Sequence, residues 1–131
     1  MVHVLLIEDN PGDVLLIREA IRTHRLPADT RVACDGEQAL ALLNSGFMPD
    51  VVVLDLNIPR LNGEEFLKRW NINPKPPIIV FSNSGNKSVT DDETKLGVCE
   101  QIGKPSDVLE FMNVISDALC RWMTPAQAAR R

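Results

Sequence analysis

The sequence predicts an α/β domain: an open, five-stranded parallel sheet with helices on both faces, for which 2-1-3-4-5 is one of the two common strand orders. Three observations carry this. Strand-like apolar runs alternate with helix-like segments five times along the 131 residues. Val51-Val52-Val53-Leu54 is a continuous, β-branched run, the pattern of a strand buried on both faces. Strands joined through helices are parallel and take right-handed crossovers.

Residues 2–7 form the first strand. Asn10-Pro11-Gly12-Asp13 then starts a helix, with Asn as N-cap, Pro at the first helical position and an acid in the first turn. That helix runs from Val14 to about His24, with Val14, Ile17, Ala20 and Ile21 on one stripe. Pro27 breaks the chain, and Thr30–Cys34 is a second short strand. Asp35 and Gln38 suit a capping box for a helix through Leu43, closed by Ser45-Gly46.

After the valine strand, Asn62 and Glu65 open a helix containing Phe66, Leu67 and Trp70. Residues 73–77 are a proline-stiffened extended connector, and Ile78–Phe81 is the fourth strand. The fourth helix, expected over Ser84 to Leu96, is a poor one: polar residues dominate, and only Val89 and Leu96 suit a core. Val98–Ile102 is the fifth strand. Ser106 is expected to cap the last helix, whose stripe is Val108, Phe111, Met112, Ile115, Leu119 and Trp122. Thr124-Pro125 ends it, leaving a tail over residues 124–131.

The formal charge of −4 offers no basic field for nucleic acid or an anionic membrane. No apolar run approaches the roughly 20 residues of a membrane span, and the start carries no signal peptide. Cys34, Cys99 and Cys120 lack metal or disulfide spacing, so a reducing cytoplasm and mostly buried, inert thiols are expected.

Open α/β sheets bind ligands at the carboxyl ends of their strands. Strand one ends in Glu8-Asp9, strand three in Asp55, strand four in Ser82, and strand five runs to Lys104. In the order 2-1-3-4-5 these groups converge on one crevice at the switch point. Carboxylates this close repel unless they share a cation, and a one-sided set of hard oxygens suits Mg²⁺. A lysine and a hydroxyl opposite the metal match the oxygens of a phosphoryl group, with Asp55 as the nucleophile on phosphorus. Each residue has a plainer role too: Asp9 as a helix cap, Glu8 as a solvated acid, Ser82 as a loop residue, Lys104 as a surface lysine. Asp55 is hardest to explain that way, because no turn or cap requires an acid at the tip of an apolar strand.

With Pro59 and Gly63 after Asp55, Gly97 between Ser82 and Lys104, and Pro105 after the lysine, the chain resembles the receiver domain of bacterial two-component response regulators across residues 2–122. The resemblance implies the flavodoxin-like order 2-1-3-4-5, with a receiver over residues 1–123. It also implies phosphoryl transfer to Asp55 from the phosphohistidine of a sensor histidine kinase. Mg²⁺ would be held by Asp9, Asp55 and the backbone carbonyl of Asn57, with Glu8 acting through water. Lys104 would bind a phosphoryl oxygen, and Ser82 would carry the switch.

The opening Leu5–Asp13 is similar to single-domain members paired with phytochrome-type kinases. Two features depart from the family. Gln101 stands where an aromatic is usual, and the segment over residues 84–95 is unusually polar. Readout through a homodimer on the last helix is therefore expected, from Trp122-Met123 beyond the core repeat. With the sequence ending at residue 131, no DNA-binding or catalytic output domain is expected.

The rival readings are three. A small Mg²⁺-dependent aspartyl-phosphate phosphohydrolase of the haloacid-dehalogenase type needs a second acid where Asn57 stands. A flavodoxin relative needs a hydroxyl- and glycine-rich loop where Glu8-Asp9-Asn10-Pro11 stands. A receiver-like binding module that is never phosphorylated would not need the complete set of acids and lysine.

Overall fold

The computed structural model describes residues 1–83 and 89–123. Five strands and five helices alternate: β1 (Val2–Ile7), α1 (Pro11–Thr23), β2 (Ala28–Ala33), α2 (Gly36–Asn44), β3 (Val51–Leu54), α3 (Gly63–Arg69), β4 (Ile78–Ser82), α4 (Asp91–Lys95), β5 (Val98–Gly103) and α5 (Val108–Trp122). The strands form one parallel sheet in the order β2-β1-β3-β4-β5. The chain reverses direction across the sheet between β1 and β3, so the switch point lies between their carboxyl ends.

Alternation along the central strands divides the core into two layers. Val4, Leu6, Val51, Val53, Ile79 and Phe81 pack with Ile17, Ala20, Phe111, Ile115 and Leu119 of α1 and α5. Leu5, Ile7, Val52, Leu54, Ile78 and Val80 face the other way, onto Ala39, Phe66, Leu67 and Trp70. All four residues of β3 are buried, as a valine run between two helical layers should be.

The helix starts follow the sequence closely. The Asn10 carboxamide accepts from the Gly12 and Asp13 N–H groups, Asp35 accepts from Gln38 N–H, and Asn62 accepts from Glu65 N–H. The Gln38 side chain reaches back one residue further than a capping box requires, to Cys34 N–H at 2.8 Å. Gly63 is fixed by space: a Cβ there would lie 2.7 Å from Leu56 Cα. Its N–H donates to Leu56 O at 3.1 Å, closing the loop that leaves β3 onto the start of α3.

Several expectations need correction. β2 begins at Ala28, not Thr30, because it pairs with β1 from Val2 onward. Asp107, not Ser106, caps α5, accepting from Glu110 N–H, and Val108 is exposed rather than in the stripe. The described part of α4 spans five residues and starts from a reciprocal capping box of Thr90 and Glu93. Residues 84–88, where the sequence predicts that helix to begin, lie outside the described residues, as do Thr124-Pro125 and the tail. Cys34 and Cys120 are exposed, not buried. Cys99 is half-buried, and burial pushes its thiol up to about 11.

Trp122 and Met123 pack against the α1–α5 core layer rather than standing beyond it. The Trp122 indole N–H donates to Glu100 at 2.8 Å, and Arg121 grips the same carboxylate with two nitrogens, at 2.6 and 3.1 Å. The connector after α3 contains a cis Asn73-Pro74 peptide. Its Lys75 ammonium donates to Leu67 O at 3.1 Å and Leu96 O at 3.0 Å, the carbonyl ends of α3 and α4.

Candidate functional site

Strand register assembles the crevice. Ile7 of β1 lies beside Leu54 of β3, so the next residues, Glu8 and Asp55, leave the sheet side by side. Asp55 N–H donates to Ile7 O at 3.0 Å, holding the strand ends together one residue past the regular ladder. Ser82 closes β4 opposite Gly103, and Lys104 N–H donates to Ser82 O at 2.8 Å. That bond carries the β5 backbone far enough for Lys104 to turn into the crevice.

The Lys104 ammonium is the hub. It lies 2.6 Å from Glu8 Oε1, 2.7 Å from Asp13 Oδ2 and 3.0 Å from Asp55 Oδ2. Its side chain is 4% exposed, with Glu8 at 5% and Asp55 at 7%. Asp55 Oδ1 accepts from Asn57 N–H at 3.0 Å, and Glu8 Oε2 from Asn10 N–H at 3.3 Å. Asp9 is exposed at the mouth, and carboxylate oxygens of Glu8, Asp9 and Asp55 lie within 4.8 Å of one another.

One ammonium faces three carboxylates, with Asp9 a fourth nearby, and the imbalance appears in the acid–base chemistry. Burial pushes the Glu8 carboxyl up to about 7, although the Lys104 hydrogen bond draws it down; the Asp55 charge adds to the rise. Burial by itself would lower the Lys104 pKa, but hydrogen bonds to Asp13, Glu8 and Asp55 outweigh it, and the ammonium is held above its usual range. The crevice is thus deficient in positive charge. A hard divalent cation suits it, since its three converging oxygen donors leave room for water and a phosphoryl oxygen.

The predicted residues Glu8, Asp9, Asp55 and Lys104 meet in this crevice, with Ser82 joined to it through the backbone of Lys104. Asn57 contributes a backbone N–H to Asp55. Gln101 does not enter the crevice; it lies beside Val80 in the sheet, and its buried Oε1 accepts no hydrogen bond from the described residues. Asp13 was missed as a site residue. Its place in the first turn of α1 explains it as a dipole-favoured acid, but Asn10 caps from the same turn and leaves the Asp13 carboxylate free to bind Lys104.

A doubly wound sheet with an acidic, lysine-bridged crevice at its switch point defines a class of α/β proteins with a charged site at the strand ends. Within it, the chain belongs to the response regulator receiver domain family, whose model matches residues 4–116. It is therefore a receiver domain of a two-component response regulator. It is 25% identical over 129 residues to response regulator Rcp1 of Synechocystis sp., covering 92% of this chain and 88% of that one. It is 28% identical over 117 residues to sporulation initiation phosphotransferase F of Bacillus subtilis, covering 88% and 92%. The crystal structure of the phosphorylated cyanobacterial phytochrome response regulator RcpA superposes with a TM-score of 0.76 at 27% identity, covering 92% of each chain. Among the described residues, no helix is long and apolar enough to cross a membrane.

Proposed function

We propose that this receiver, residues 1–123, works as a stand-alone response regulator in a phosphorelay, with Asp55 as phosphoacceptor. One observation carries the reading: Asp55 Oδ2 lies 3.0 Å from the Lys104 ammonium in a crevice where three acidic residues converge within 4.8 Å. An Asp55 carboxylate oxygen forms a bond to phosphorus as the P–N bond of a sensor kinase's phosphohistidine breaks and the imidazole leaves. Asn57 N–H, on Oδ1, orients the carboxylate for that attack. Lys104 neutralises a phosphoryl oxygen while Glu8 and Asp13 keep its side chain in place.

Asp9, Asp55 and the Asn57 carbonyl would hold Mg²⁺, with Glu8 acting through water. The ion would screen the phosphoryl charge from the acids. Ser82 and Gln101 are the switch positions, and slow loss of phosphate from Asp55 to water resets the protein. No DNA contact is involved.

The kinase is of the phytochrome type on this reading, supported by the likeness to RcpA and by the opening Leu5–Asp13. A cytoplasmic setting suits three unpaired thiols. A homodimer through α5 would use the exposed Val108 and Leu109, since Trp122 is engaged with Glu100. The test is incubation with a small acyl phosphate and Mg²⁺, followed by mass measurement. One phosphoryl addition that disappears in Asp55→Asn supports the proposal; equal labelling of that variant overturns it.

A further inference from the structure

Lys75 comes shortly before β4 and Gly97 directly before β5, so the space they border lies at the amino ends of the strands, opposite the Lys104 crevice. A cavity of about 470 Å³ opens there, and Lys68, Lys75 and Lys95 all line it. None of its lining residues is acidic, in a chain with 18 acidic residues and a net charge of −4. Lys68 and Lys95 are exposed in the last turns of α3 and α4, where the helix dipole favours a cation. Carbonyl dipoles are neutral, however, and leave three positive charges around one cavity uncompensated.

Lys75 is the half-buried member of the three. Its ammonium donates to Leu67 O at 3.1 Å and Leu96 O at 3.0 Å, and lies 5.7 Å from the centre of the Trp70 ring. An ammonium has three protons to donate, and among the described residues the third has no acceptor. No described carboxylate pairs with Lys75, and burial pulls its pKa below the usual lysine value. Residues 84–88 and 124–131 contain no Asp or Glu that could supply one. A partly buried charge without a counter-charge is a costly arrangement, and an anion relieves it.

We propose that this cavity binds a small organic phosphate, anchored on the Lys75 ammonium. Three ammoniums around one space match the dianion of a phosphate monoester better than the single charge of a carboxylate. A bare phosphate ion would fill only a fraction of the volume, which falls in the range of small-ligand sites. Asn71, Asn73 and Thr94 line the same cavity and offer amides and a hydroxyl to a polar body attached to the phosphate. Because Lys75 already bonds the carbonyl ends of α3 and α4, the ligand would brace the two helices against each other. The site does not require Asp55 to be phosphorylated.

The experiment titrates the full, unphosphorylated chain, free of metal, with adenosine monophosphate, adenosine, inorganic phosphate and acetate, read by NMR. Without metal, the acids of the Lys104 crevice repel phosphate and keep it out. Adenosine monophosphate should shift the side-chain signals of all three lysines and the Gly97 amide, and raise the Lys75 pKa. Adenosine and acetate should bind about tenfold more weakly, and added salt should weaken the phosphate response. Lys75→Met should weaken binding about tenfold, and Lys95→Gln, at an exposed position, about threefold. Should Lys75→Met fail to fold, the wild-type Lys75 titration and Lys95→Gln decide. Shifts confined to Lys68 and Lys95, or equal affinity for inorganic phosphate and adenosine monophosphate, would show an adventitious ion only and overturn the proposal. An equal response to adenosine would overturn it as well.

Discussion

The Asp13 carboxylate and the Lys104 ammonium lie 2.7 Å apart although 91 residues separate them in the chain. The contact ties the first turn of α1 to the end of β5 directly across the crevice. It gives Lys104 a carboxylate partner that is neither the proposed phosphoacceptor nor one of the three clustered acids.

Asp9 and Asp13 should therefore respond in opposite ways to neutralisation. Asp9→Asn removes an exposed acid that makes no bond to Lys104, so urea unfolding without metal should show unchanged or slightly raised stability. Mg²⁺ affinity should fall. Asp13→Ala should cost about 1–3 kcal/mol by losing a charge-assisted hydrogen bond, with a smaller effect on Mg²⁺ affinity. Equal stability losses in the two variants would show that Lys104 does not depend on Asp13.

Replacing the hub should make folding depend on the metal. Lys104→Met leaves buried Glu8 and Asp55 without their cation, a change expected to cost about 3–5 kcal/mol. Excess Mg²⁺ should restore much of that, and chelation should remove it again. Melting temperatures with and without Mg²⁺ decide the matter; a variant indifferent to the metal would contradict the charge deficit.

The Glu8 carboxyl, pushed up to about 7 by burial, predicts a specific pH dependence. Folded Glu8 holds its proton more tightly than unfolded Glu8 does. Its contribution to stability is full below the ordinary carboxyl value near 4.5 and is lost as pH rises through about 7. Compared with Glu8→Gln, the metal-free wild type should lose on the order of 3 kcal/mol between pH 5 and 8. Denaturant titrations across that range measure the difference, and parallel curves would place Glu8 in contact with water.

Gly63→Ala tests how the loop after β3 aims Asp55. A methyl 2.7 Å from Leu56 Cα must displace backbone. The expected cost is about 1–3 kcal/mol, with slower phosphoryl labelling of Asp55. Mass spectrometry over a time course reads the second effect, and full-rate labelling would mean that the loop adapts.

The parts of this molecule legible in sequence are those set by local chemistry. Asn10, Asp35 and Asn62 cap helices because short polar side chains reach the N–H groups two or three residues on. Val51–Leu54 could only be an interior strand. Glu8, Asp9, Asp55 and Lys104 were identifiable because strand ends converge in this topology. The less legible parts depend on distant partners. That the first-turn acid Asp13 reaches across to Lys104 is decided by β5, and Trp122 is drawn onto the core and Glu100 by tertiary packing. Asp107 caps α5 where Ser106 was expected, because pattern alone does not resolve a shift of one residue between neighbouring short polar side chains.

The position of Lys104 has a consequence for biosynthesis. It follows β5, an edge strand that pairs with β4 alone, and its contacts to Glu8 and Asp55 span 96 and 49 residues. A nascent chain that has emerged only as far as β4 can align Glu8 and Asp55 but has no ammonium to set between them. Long-range closures of this kind come late in assembly. The crevice is thus completed by the last strand to dock, and an unfinished chain does not present Asp55 with its lysine partner.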